Sequence, residues 1–119
     1  KDKEYRLPDP HEVQVAEAAE KALPELFEKI PFGLPEEQTP KEGRGASRAF
    51  SIDSYGFSQW KNLFCPRQLL SMGVLIKCSR EAKDQAASHY DPNWIEAITS
   101  YLASALSRAS DNMGVLCVW

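Results

Sequence analysis

Cysteine, histidine and glycine are scarce in this sequence, and each scarcity removes a class of function. The three cysteines, Cys65, Cys78 and Cys117, are widely spaced, odd in number and set among apolar residues. That excludes a disulfide framework and points to reduced, buried thiols in a cytoplasmic protein. The two histidines, His11 and His89, stand far apart and no Cys-x-x-Cys pair accompanies them, so no metal site is expected. No spacing favours a Cys–His pair for nucleophilic attack over three core thiols. Gly43-Arg44-Gly45 has neither a third glycine nor a preceding strand, so it is no phosphate-cradling loop. Runs of about 18 apolar residues, the length of a membrane-spanning helix, do not occur. The charged opening Lys1-Asp2-Lys3-Glu4-Tyr5-Arg6 lacks the apolar stretch of a signal peptide. An excess of one charge is missing too: 14 basic against 17 acidic residues leave a net charge of −3, too weak a field to draw in DNA unaided.

What remains is a chain of 119 residues, 43% hydrophobic and 26% charged, which suits one compact module. At this size a protein buries roughly two-thirds of its unfolded surface, leaving little room for a deep catalytic cleft. Six of the eight prolines precede residue 41, and residues 31–48 have the Pro, Gly, Glu and Ser content of a loosely held, mobile linker. The closing run GVLCVW is apolar and has no turn after it, so we expect the chain to be a piece of a longer one.

Helical signals dominate, predicting a mainly α fold: an antiparallel helical hairpin with an additional N-terminal helix and an irregular Pro/Gly-rich linker. Asp9, Pro10 and Glu12 supply an N-cap, a first-turn proline and a capping-box acid, and Val15, Ala19, Ala22 and Leu26 mark a helical stripe until Pro24 kinks it. Five of the twelve aromatics lie between Phe50 and Phe64, a packed turn with a short helical piece near Ser58 to Asn62. Pro66 opens a second helix over 66–88, so apolar from Leu69 to Cys78 that it must be covered on more than one face. Asp91-Pro92 ends that helix and caps a third, over 92–112, with Trp94, Ile98, Leu102, Ala105 and Ala109 facing inward. The short connection makes helices two and three antiparallel neighbours.

Two clusters are candidates for binding. Phe64, Cys65, Pro66, Arg67 and Gln68 form an aromatic turn opening a helix, with backbone N–H groups, a ring and a guanidinium suited to a small polar or anionic group. The plainer reading makes Phe64 a hydrophobic plug. Lys77, Arg80 and Lys83 recur every three residues and suit a phosphate backbone, but Glu81 and Asp84 interleave with them as in a solvated, salt-bridged face. Trp94 and Tyr101 suit base stacking, although aromatics at helical spacing more often belong to a core.

Four pieces of the sequence then occur in a telling order: Tyr5-Arg6-Leu7-Pro8; Tyr55-Gly56-Phe57 with Trp60 and Leu63-Phe64-Cys65-Pro66-Arg67-Gln68-Leu69-Leu70; Tyr101-Leu102-Ala103-Ser104-Ala105-Leu106-Ser107-Arg108; and Leu116-Cys117-Val118-Trp119. They resemble an internal segment of the large adenine-specific DNA methylases of bacteria and archaea, which typically read YRLP, YGM-x-x-W-x-DLFTPRQLLAL and YLALALDRLADYNSSLCRW. The resemblance implies a helical insertion in an S-adenosylmethionine-dependent transferase acting on the exocyclic amine of adenine. The family's Asp-Pro-Pro-Tyr tetrad and glycine-rich loop lie outside this segment and are missing here, so the chain holds no catalytic residue and alone should be inactive. By the same resemblance Phe64, Cys65 and Pro66 would lie beside the methyl donor, with Arg67 and Gln68 in the first helical turn. Cys65 replaces the usual Thr and Val118 the usual Arg. The implied partners are the remainder of the methylase chain and, through it, DNA, to which Lys77, Arg80 and Lys83 would contribute. The alternative is a non-enzymatic helical module that docks a protein partner through the apolar face Leu69 to Cys78.

Overall fold

The computed structural model describes residues 6–40 and 52–115, and their regular structure is helical. Helix α1 spans Pro10–Glu28 and begins as local chemistry dictates. The Glu12 N–H donates to Asp9 Oδ1 at 2.9 Å while the Asp9 N–H donates to Glu12 Oε2 at 2.9 Å, so two otherwise orphaned donors are satisfied reciprocally. At Pro24, where a kink is expected, α1 continues for another turn. Packing overrides the lost hydrogen bond, because Leu23 and Phe27 on either side of Pro24 are both buried. The buried face is Ala19, Leu23 and Phe27, rotated from the predicted stripe, and Val15 is left exposed.

Helix α2, Pro66–Ala86, has Pro at its first turn and Cys65 as N-cap. Helix α3, Pro92–Met113, is capped by Asp91, whose Oδ1 accepts from the Asn93 N–H at 2.9 Å. Both match their predicted spans to within two residues. Beyond α3, the Val115 N–H donates to the Leu63 carbonyl at 2.7 Å, which sets the end of α3 beside the start of α2 and closes the antiparallel hairpin.

Both α1 and α3 make their main contacts with α2. On the α1 side the core is Leu23, Phe27, Ile30 and Leu69, flanked by Leu26, Leu34, Phe64, Leu70, Met72 and Ile76. Close approach is possible because α2 carries glycine there: a Cβ on Gly73 would lie 2.7 Å from Leu26 Cδ2 and 3.0 Å from Phe27 Cε2. On the α3 side Ile95 is the buried hydrophobic residue. Each fully buried Leu, Ile or Phe contributes about 1.5–3 kcal/mol, so the α1–α2 junction is the stronger of the two.

The predicted linker divides. Residues 41–48 lie outside the described residues, and within 31–40 the stretch 35–39 hydrogen bonds with residues of the aromatic turn. Gln38 and Gln59 pair in an antiparallel bridge, the Thr39 N–H donates to the Ser58 carbonyl at 3.0 Å, and the Lys61 N–H donates to the Pro35 carbonyl at 2.8 Å. Thr39 is buried, its hydroxyl donating to the Phe57 carbonyl at 2.7 Å. The segment hydrogen bonds with the aromatic turn, whose helical piece is a 3₁₀ turn at Trp60–Leu63; composition alone does not reveal pairing between distant segments. Among the described residues, no helix is long and apolar enough to cross a membrane.

Candidate functional site

The five residues at the start of α2 are adjacent in sequence but do not face one cavity. Phe64 packs against the Leu23–Phe27–Ile30–Leu69 core and lines a cleft of about 530 Å³, as the plug reading requires. Pro66 and Arg67 lie on the other side, along an open groove of about 640 Å³ shared with α1. The Gln68 side chain turns back to accept the Cys65 N–H at 2.7 Å. The Gln68 and Leu69 N–H groups both donate to the Cys65 carbonyl, at 2.9 and 3.1 Å, and Pro66 has no N–H to offer. The helix end therefore spends most of its donors on itself, and these residues alone do not form a cradle for S-adenosylmethionine.

The groove beside Arg67 holds an ion pair that the sequence reading missed. Arg6 grips Glu12 with two parallel bonds, Nη1 to Oε2 at 2.8 Å and Nη2 to Oε1 at 2.7 Å. This guanidinium, helped by the Asp9 N–H, holds the Glu12 carboxyl below the usual carboxylate range. The Arg six residues before a capping-box Glu was the available signal.

Lys77, Arg80 and Lys83 diverge. At 100° per residue, positions three apart drift by 60°, so the three side chains fan over about 120°. Lys77 Nζ approaches Glu81 Oε1 at 3.7 Å. Arg80 borders the cleft containing Phe64, and it shares one groove between α2 and α3 with Lys83, which also borders a second. A solvated face with an i,i+4 pair describes them better than a continuous phosphate-binding strip.

The larger surprise is on the hairpin's outer side. Trp94 and Tyr101, expected in the core, are 58% and 80% exposed, and Ile98 and Leu102 are exposed beside them. α3 rests on α2 through Ile95 and the half-buried Thr99, Leu106 and Ala109, one edge of its apolar stripe rather than the centre. Val74 and Leu75 of α2 are likewise exposed, as is Cys78, a free thiol that the sequence had led us to expect buried; Cys65 is half-buried and Cys117 lies outside the described residues. Between the helices, Ala82, Tyr90, Trp94, Ile98 and Leu102 border a depression of about 290 Å³. Exposed apolar residues thus occur on both helices of the hairpin.

No group of three or more His, Cys, Asp or Glu residues capable of holding a metal ion occurs among the described residues. No protein-family model matches the chain, and neither a curated protein nor a solved structure is significantly similar to it.

Proposed function

We propose that this chain is a helical support segment of an S-adenosylmethionine-dependent DNA adenine methyltransferase, with the exposed α2–α3 face resting on the remainder of the methylase chain. The observation that carries the reading is the distribution of apolar residues. Among the described residues six hydrophobic side chains are buried, whereas thirteen large ones are exposed, and four of these, Tyr90, Trp94, Ile98 and Leu102, border one depression between α2 and α3. A chain selected to stand alone in water rarely exposes so many large apolar side chains relative to those it buries. The ordered resemblance of four sequence pieces says what kind of protein would cover it. In this reading Phe64, Gln68 and Pro66 shape the turn, Arg67 stays on the surface, and any contact with the cofactor is completed by residues elsewhere in the longer protein. Base methylation in duplex DNA requires the adenine to be flipped out, which needs protein surface beyond the catalytic core.

The test is methyl transfer. The full-length protein should transfer a labelled methyl group from S-adenosylmethionine to adenine in DNA, and the isolated chain should not; a well-folded parent with no transfer on any DNA ends the proposal. Alanine at Lys77, Arg80 and Lys83 together should change the slope of log K against log salt in the parent by less than one, against nearly three if all three met phosphates. The same exposed face also favours the non-enzymatic docking module. Light scattering and dye binding separate the cases: a soluble monomer without dye uptake would show the face to be unimportant in either.

A further inference from the structure

The cleft behind Phe64 has a composition that neither reading of the apolar face explains. It lies between the end of α1, the turn at residues 30–35, α2 and the last turns of α3, and its volume of about 530 Å³ is within the range of small-molecule sites. Its walls are apolar, with Phe27, Phe64, Met72, Ile76 and Leu106 among them. The single charged residue in the lining is Arg80, and no acidic residue lines the cleft. Arg80 forms no ion pair or hydrogen bond among the described residues, whereas Lys29, Lys61 and Lys77 each have a glutamate partner. Ser107 borders the same space, and its hydroxyl also has no partner among the described residues.

A second peculiarity lies at the mouth. The Gly33 N–H donates to the Ile30 carbonyl at 3.1 Å, closing a turn with Pro31 second and Phe32 third. Phe32 has φ 74, a conformation that strongly favours glycine. Its ring is 99% exposed, so no packing compensates the strain. Backbone strain of this kind clusters at active sites and ligand clamps.

We propose that this cleft binds a small carboxylate with an apolar tail, the tail against Phe27, Phe64 and Met72 and the carboxylate on the Arg80 guanidinium and the Ser107 hydroxyl. One guanidinium neutralises one negative charge, which suits a carboxylate better than a doubly charged phosphate, and its planar fork matches the two carboxylate oxygens. The assignment does not depend on the methyltransferase reading.

Decanoate is the probe, titrated into the chain while the methyl signals of Met72 and Leu106 and the side-chain Nε–H of Arg80 are followed by NMR. Saturable shifts at all three are expected. Decanol should bind roughly three- to tenfold more weakly, the size of one solvent-exposed charge-assisted contact, and decyl phosphate no more tightly than decanoate. Arg80→Gln, at an exposed position and with its fold checked by circular dichroism, should bring decanoate down to the affinity of decanol, and Arg80→Lys should restore part of the difference. Equal binding of acid and alcohol, indifference to Arg80→Gln, tighter binding of decyl phosphate, shifts confined to Trp94 and Ile98, or no saturable shift would each overturn the assignment.

Discussion

Substituting alanine for Gly73 sets two effects of known size against each other. In an exposed helix the change stabilises by about 1 kcal/mol, because alanine loses less backbone entropy on folding. Here the added methyl would lie 2.7 Å from Leu26 Cδ2 and 3.0 and 3.1 Å from Phe27 Cε2 and Cζ. The Leu26 methyl is the far end of a half-buried side chain and can rotate away. The Phe27 ring cannot, since it is 6% exposed and wedged among Leu23, Ile30 and Leu69. Either the ring shifts or the helices separate, and overpacking of this kind costs about 1–3 kcal/mol. The cost outweighs the gain, so Gly73→Ala should destabilise by about 1 kcal/mol and Gly73→Val by more. In urea unfolding followed at 222 nm the alanine variant should lose about 0.3–1 M in midpoint with an unchanged slope. Leu26→Ala should be less damaging in the Gly73→Ala background than in the native one, because the two positions share the clash. A higher midpoint for Gly73→Ala would mean that α1 does not sit on α2 at this residue, and the core described above would be wrong.

Phe32→Gly should stabilise by about 0.5–1 kcal/mol, the relief of left-handed strain exceeding the entropy cost of glycine; a loss of stability in the same unfolding assay would mean that the ring has a packing partner. Cys65→Thr should add about 0.5–1 kcal/mol by giving α2 a proper hydroxyl N-cap, and no gain would show that the Gln68 side chain already suffices. Glu12 is held below the usual carboxylate range by Arg6 and then by the Asp9 N–H, so its contribution is complete above the range in which an unfolded glutamate titrates and disappears as pH falls through the lower, folded value. Acid titration of stability should therefore be shallower for Glu12→Gln than for the native chain, and the difference should shrink in high salt; identical curves would remove the Arg6–Glu12 pair as a stabilising element.

Helix ends were legible because they are written in adjacent residues: Asp9-Pro10, Pro66 and Asp91-Pro92 each open a helix where expected. The buried faces were less so. Periodicity shows that a helix has an apolar stripe, but which part of it is covered depends on the partner's position, and α3 meets α2 along Ile95 rather than along Trp94, Ile98 and Leu102. Gly73 stands amid apolar neighbours, and a lone glycine inside a helical pattern is a usable mark of close approach. The pairing of residues 35–39 with 57–61 had no local signature at all. At the candidate site, the fan of Lys77, Arg80 and Lys83 followed from helix geometry, whereas the joining of Phe64 and Arg80 in one cleft required the tertiary structure.

The uneven division of the core also sets the order in which the molecule comes apart. With Ile95 as its buried anchor, α3 can swing off α2 while the Leu23–Phe27–Leu69 junction holds, so its amide protons should exchange through local opening well before those of α1. A binding partner laid across both helices would fasten the loose leaf to the firm one, and two separate meltings would merge into a single cooperative event.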